Sequence, residues 1–122
     1  MDPAEAMYAV ASAEILIDMS KPEDAESYLN ERSNVFGHNA GVQQTLGHIA
    51  MIQGNDDEAE KRFRTAWTLS PEEPAILEDL INAQMQLGRY AEAEHNINQL
   101  LQFDSYKDRR DILRLRSRCL LN

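Results

Sequence analysis

Asp24-Ala25-Glu26, Glu58-Ala59-Glu60 and Glu92-Ala93-Glu94 stand 34 residues apart, and four residues after each alanine comes a bulky apolar side chain, Leu29, Phe63 or Ile97. The same offset relates Gly54 to Gly88, and it relates Leu46-Gly47 to Leu80-Ile81 and, more weakly, to Ser12-Ala13. A fixed period of this size marks a chain built from stacked copies of one small unit. Three units fit, at about 6–39, 40–73 and 74–107, within a single domain spanning 1–122.

Within each unit apolar residues recur at three- and four-residue steps, the spacing of one helix face, and no strand alternation competes. The start signals are Asp2-Pro3-Ala4-Glu5, Ser20-Lys21-Pro22-Glu23 and Asn55-Asp56-Asp57-Glu58. Each sets a capping side chain three residues before a glutamate, so that both ends of the step meet an unpaired amide. Gly54 and Gly88 suit the left-handed residue that closes a helix, and Pro74 suits a first turn. The pattern predicts helices near 3–19, 22–35, 40–53, 56–69, 74–87, 90–102 and 107–120.

A chain of 122 residues buries about two thirds of its unfolded surface as one domain. With 43% hydrophobic and 27% charged residues it is neither a polar disordered chain nor a membrane span. The net charge of −9 disfavours a general role on nucleic acid or anionic lipid. The charge is polarised: Lys107 to Asn122 carries six basic and two acidic side chains, net +4, and the residues before it sum to −13. Ile112, Leu115 and Cys119 make an apolar stripe through this basic segment, which reads as a capping helix over about 107–120. A lone cysteine allows no internal disulfide, and with no basic n-region at the start the expected setting is a reducing cytoplasm.

The middle unit resembles a tetratricopeptide repeat, with that family's spacing in Leu46-Gly47, Ala59, Phe63, Ala66 and Pro71. Gly47 and Ala59 lie where two helices would cross closely, Phe63 fills the space beside the crossing, and Pro71 breaks the chain between units. The unit departs from the family at Gln43 and Ala50, where an aromatic and a tyrosine are usual. The third keeps Leu80, Gly88, Tyr90 and Ala93 but has Ile81 for the small residue and Ser105 for the proline. The first keeps Ala13, Ala25 and Leu29, with Gly37 for the proline. The resemblance implies an all-α fold, an alpha-alpha superhelix (solenoid) of three helical hairpins closed by the C-terminal capping helix.

It further implies a non-catalytic protein-interaction module whose first helices line a concave groove. The groove positions fall on Met7, Val10, Glu14, Ile17 and Asp18, then Gln44, His48, Met51 and Ile52, then Ala75, Glu78, Asn82, Met85 and Gln86. These include three carboxylates and no Lys or Arg, which suits an apolar or basic peptide or helix of another protein. One branch of the family grips a partner's C-terminal carboxylate with Lys, Arg and Asn; here those positions read Val10, Glu14, Thr45, Ala75 and Asp79, so the grip is missing. Two other roles are open at this point: self-association through the stack ends, as a unit or fragment of a longer array, and, because small acidic members of the family guard exported proteins, a secretion chaperone.

Sharper chemistry finds little support. His38, His48 and His95 have no metal-ligand spacing, and Asp56-Asp57 and Glu72-Glu73 adjoin helix starts, where the dipole favours negative charge. Cys119 falls on the apolar stripe and reads as a packed side chain, Trp67 and Tyr90 as packing between helices, and His48 as a bystander on the wall. There is no phosphate loop, nucleophile elbow or Cys/His cluster, so neither a cofactor nor an enzyme is expected. The arginines at 110, 114 and 118 solvate a cap or pair with an acidic surface rather than bind nucleic acid.

Overall fold

Among residues 3–32, 35 and 38–121, which the computed structural model describes, seven helices run in sequence as three hairpins and a terminal helix. They are α1 (Pro3–Asp18), α2 (Pro22–Asn30), α3 (Ala40–Ile52), α4 (Asp56–Leu69), α5 (Pro74–Gln86), α6 (Tyr90–Leu100) and α7 (Arg110–Leu121). Each packs chiefly on its chain neighbours, the all-α solenoid that the period predicts. The cap expected from Asp2 and the substitution at Gly37 lie outside the described residues.

The period reappears as burial. Ala25, Ala59 and Ala93 are fully buried, as are Leu29, Phe63 and Ile97 behind them. A first apolar cluster joins Ala6, Ala9 and Ala13 to Ala25, Leu29, Val42, Leu46 and Ile49. A second runs from Ala50 and Phe63 through Leu77, Ile81 and Ile97 to Ile112 and Cys119 of the cap. Hydrophobic burial therefore stabilises each hairpin both across its own crossing and against the next one. The tightest crossing is at Gly47, where an added Cβ would stand within 3.0 Å of three carbons of the buried Phe63 ring. In the third hairpin Ile81 occupies that register, paired there with the slimmer Ile97.

The hairpin turns repeat as closely as the core. Ser20, Gly54 and Gly88, spaced by 34, all have positive φ, at 62°, 75° and 74°. Lys21, Asn55 and Arg89 each donate an amide five residues back, to the carbonyls of Leu16, Ala50 and Gln84, at 2.8–2.9 Å. The residue before each donates three back, to Ile17, Met51 and Met85. This double bond is the left-handed helix stop, and it occupies carbonyls that the helix end leaves open. Ser20 therefore closes α1 rather than capping α2. The N-cap of α2 is Lys21, which makes no side-chain capping bond, because Ser20 is already committed to the left-handed turn. Asn55 does cap α4, accepting from the Glu58 amide at 3.4 Å, and Asn39 caps α3 in the same way from Val42 at 3.0 Å.

Two boundaries differ from expectation. α2 stops at Asn30 instead of 35, since Arg32 folds back, donates to the Tyr28 carbonyl at 2.8 Å and stacks its guanidinium 3.8 Å over the Tyr28 ring. α7 starts at Arg110 instead of 107. The preceding residues form packed turns, with Tyr106 buried and Arg109 clasping Asp111 of the first helical turn at 2.6 Å.

A third feature had no counterpart in the sequence reading. Glu60, the last residue of the middle triplet, keeps only 3% of its side chain exposed and is held by Arg64 at 2.5 Å and by Arg89 of the next turn. A carboxylate buried to this degree has to be paired, and the pairing fastens the third hairpin to the second.

The crossing and the turn can each be tested. Gly47→Ala is expected to destabilise the protein by about 1–2 kcal/mol in urea unfolding, because overpacking (about 1–3 kcal/mol) exceeds the gain in helix propensity of about 1 kcal/mol. Combined with Phe63→Leu it should lose less than the two single changes together; simple additivity would show that the ring and the glycine do not compete. Ser20→Gly should gain up to about 1 kcal/mol, whereas Gly54→Ala should lose about as much, although nothing lies within 4 Å of its new Cβ. An unchanged midpoint in both would reject the left-handed-stop account.

Candidate functional site

The first helices of the hairpins, α1, α3 and α5, carry all fourteen positions proposed from the sequence as a groove wall. Their stitching is specific. Asp79 of α5 reaches across to α3, where one carboxylate oxygen accepts from Gln44 Nε2 and from His48 Nε2, each at 2.9 Å. The His48 ring meets the Phe63 ring edge-on at 5.3 Å, so the imidazole is oriented from below by the crossing that orders the hairpin. It is no bystander.

The hydrogen bond to Asp79 raises the His48 pKa above its ordinary 6.5; burial partly opposes this, while the negative charges of Asp79 and Glu14 add to it. A raised folded-state value means that the charged imidazole favours the folded state. Its contribution is complete below about 6.5 and is lost as pH rises through the higher folded-state midpoint.

Exposure separates the proposed wall into two groups. Met7, Glu14, Asp18, His48, Ile52, Ala75, Asn82 and Gln86 face solvent. Gln44 and Glu78 are half-buried, as are Val10 and Ile17 against the first apolar cluster and Met51 and Met85 against the second. Met85 is drawn toward the cap, with its Sδ 3.3 Å from Cys119 Sγ. Cys119 itself is buried, and burial raises its thiol pKa, which leaves it a packed side chain.

Two hollows lie along these helices. One, of about 240 Å³, lies between α1 and the start of α3 and includes Met7, Val10, Glu14 and Gly41. The other, of about 350 Å³, lies between the starts of α3 and α5 and includes Gly41, Gln44, Glu73 and Ala75. Gly41 is common to both. Of the fourteen positions Met7, Val10, Glu14, Gln44 and Ala75 line one or the other; Ile17, Asp18, His48, Met51, Ile52, Glu78, Asn82, Met85 and Gln86 line neither.

Sequence reasoning missed a cation here. None of the fourteen positions is Lys or Arg, but the α6–α7 connection brings Arg109 to within 3.5 Å of Glu78. The Tyr106 hydroxyl donates to the same carboxylate at 2.8 Å, and burial followed by this bond raises the tyrosine pKa. Glu78 is thereby engaged, sharing Arg109 with Asp111, and the carboxylates of the wall left without an arginine are Glu14 and Asp18 of α1 and the shared Asp79. The only sequence signal was the run of basic residues around 107–118, too distant in the chain to assign to Glu78.

A larger cleft, about 510 Å³, opens between the second helices α4 and α6, where Trp67 and Leu80 stand beside Ala91 and His95. Trp67 also packs edge-on against Phe103 at 6.5 Å, so its packing role holds while part of its ring stays accessible. Among the described residues no three His, Cys, Asp or Glu side chains gather to hold a metal ion, and no helix is long and apolar enough to cross a membrane.

A family model described as tetratricopeptide repeat matches residues 50–119. The human tetratricopeptide repeat protein 7B is 32% identical over 94 residues, which are 77% of this chain and 11% of that protein. The chain thus spans about a tenth of the length of this curated relative. Among solved structures, the first TPR of Spaghetti (RPAP3) bound to the HSP90 peptide SRMEEVD superposes with a TM-score of 0.84 at 12% identity, over 99% of this chain and 97% of that one. The Yersinia enterocolitica type III secretion chaperone SycD in complex with a peptide of the translocator YopD gives 0.83 at 16% identity, over 98% and 95%.

The His48 set yields a direct measurement. In an NMR titration the His48 ring should show a midpoint above 6.5, and Asp79→Asn should bring it down. The same change should flatten the fall in stability between about pH 6.5 and the folded-state midpoint. A midpoint indifferent to Asp79→Asn would reject the assigned cause.

Proposed function

This chain belongs to the tetratricopeptide repeat family, and from that premise we propose that it is a non-catalytic protein-interaction module. In this reading one domain of three repeats, about 6–39, 40–73 and 74–107, with its terminal cap presents the α1, α3 and α5 wall to an apolar, basic segment of another protein. The fourteen wall positions are the proposed contact set, with Met7, Val10 and Ile52 supplying apolar contacts and Glu14 and Asp18 charge.

The observation that carries the partner class is the state of Asp79. Its carboxylate is engaged by Gln44 and His48, at one of the positions where relatives that grip a free C-terminus carry a cation or an amide. The other such positions offer nothing better: Val10, Glu14 and Ala75 have no donor, and the Thr45 hydroxyl donates back to the Gly41 carbonyl at 2.9 Å. The Spaghetti domain is bound to a peptide ending in Glu-Glu-Val-Asp. On this wall that acidic terminus would face Glu14 and Asp79, and Arg109, the arginine that reaches the wall, is already engaged by Glu78 and Asp111. A segment carrying Lys or Arg beside Leu or Met instead meets complementary charge and adaptable methionine surface.

Fluorescence anisotropy with three labelled peptides of equal length tests the reading: alternating Lys/Leu, alternating Glu/Leu, and one ending in a free Glu-Glu-Val-Asp. The Lys/Leu peptide should bind most tightly, and Glu14→Lys should weaken it at least tenfold, a loss of about 1.4 kcal/mol, with helicity unchanged. Tighter binding of either acidic peptide, or a folded Glu14→Lys variant with undiminished affinity, would overturn the assignment.

A further inference from the structure

The cleft of about 510 Å³ between α4 and α6 shares no residue with the proposed wall. Its floor is Leu80 and Gln84 of α5, both buried, and its sides include Trp67 of α4 and Ala91 and Asn96 of α6. A second hollow, of about 340 Å³, also borders Trp67 and includes Gln99, Gln102 and Phe103. Both volumes fall within the range of ligand sites, about 300–1,000 Å³.

Charge and hydrogen-bonding capacity are used unequally here. The ions on the rim are spent within the fold: Arg64 pairs with Glu60 at 2.5 Å and with Glu92 of α6 at 3.4 Å. The amides are not. Gln84, with 2% of its surface exposed, accepts from Asn96 Nδ2 at 2.9 Å through its Oε1. Among the described residues Gln84 Nε2 and Asn96 Oδ1 have no hydrogen-bond partner. No fully enclosed side-chain nitrogen or oxygen among those residues goes unpaired, so the Gln84 donor has to reach the cleft. If both amides are turned over together their roles exchange, and one donor and one acceptor still remain. A polar group placed this deep is unfavourable until it is paired.

We propose that this cleft is a binding site separate from the wall, which takes an uncharged, extended segment of another protein carrying two large apolar side chains with one residue between them. The polar pair selects the backbone of that segment. Gln84 and Asn96 together offer one donor and one acceptor, the complement of the C=O and N–H of a single residue. Inside a helix both groups are spent on neighbouring turns, whereas on a lone strand they are open along the same edge. Side chains two residues apart on a strand project to one face, about 6.5–7 Å from each other. One enters the cleft against Leu80 and Trp67, and the next enters the hollow beside Phe103, with the indole between them. Because Arg64 and Glu92 are paired with each other, a charged residue seated here would lose its hydration without finding a free counterion. That distinguishes the cleft from the wall, whose carboxylates favour cations.

Trp67 is the single tryptophan of the chain, so its emission reports occupancy of this site. The probe is a peptide Gly-Ser-Leu-Ser-Leu-Ser-Gly, blocked at both ends and titrated into the full chain. Emission should shift to the blue with half-saturation below about 1 mM, within reach of two seated side chains and one paired backbone unit. Methylating both leucine nitrogens, or instead the serine nitrogen between them, alters opposite edges of the strand. One of these peptides should bind about tenfold more weakly and the other like the parent. Gln84→Met and Asn96→Ala each remove half of the polar pair and should also cost about tenfold. Ala91→Arg, at an exposed position of α6, should abolish the shift with helicity unchanged. Glu14→Lys, which tests the wall, should leave this titration as it is. A parent peptide that fails to saturate, or equal affinity of the two methylated peptides, overturns the proposal. So does a folded Ala91→Arg variant that binds undiminished, or tighter binding when the serines are replaced by lysine or aspartate. Emission that shifts with protein concentration alone would place a second copy in the cleft and overturn it as well.

Discussion

Close crossing of the two helices in each hairpin is the constraint from which the rest of the structure follows. Gly47 lets the Phe63 ring lie where a methyl group would already intrude. With the ring seated there, α3 and α4 present a common apolar surface to α5. The other two hairpins solve the same problem with different pairs, Ala13 with Leu29 and Ile81 with Ile97. A large second-helix residue thus tolerates a small partner, and a slimmer one tolerates a larger. A single mismatch would tilt one hairpin, and every later hairpin would inherit the tilt, because each rests only on its neighbours.

The turns and the buried carboxylate hold that crossing in register. Three left-handed stops at 34-residue spacing set the same reversal of chain direction after each first helix. Glu60, nearly removed from water and clasped from two hairpins, adds a polar constraint to an interface otherwise secured by non-directional burial. The surface ion pairs elsewhere contribute far less, since solvent screens them and long side chains must be immobilised to form them. Order in the stack therefore reaches the wall through the core: Phe63 supports His48, and His48 in turn fixes Asp79.

The chemical character of the wall comes from charges that the fold redistributes. Glu78 faces the wall in helical register but is spent on Tyr106 and Arg109, whereas Asp79, one residue on, is pulled into the junction of α3 and α5. The acidic potential that remains is concentrated on α1, at the end of the stack opposite the arginines of α7. One polarity of charge thus runs along the stack axis.

The sequence by itself determined the helical hairpins, their number and their period, because helix patterning, Asn55 as a cap, and Gly54 and Gly88 as stops act within a few residues of themselves. Even local reading erred where one residue had two possible jobs: Ser20 looks like a cap for α2, yet the left-handed turn it shares with the two glycines uses it first. Only the tertiary structure decided the site. His48 and Asp79 are 31 residues apart, Gln44 and Asp79 35, and Tyr106 and Glu78 28. No periodicity encodes which of several carboxylates a histidine or an arginine will find. That choice depends on the small translation and rotation between successive hairpins, which is set by how side chains of unequal size fill each crossing.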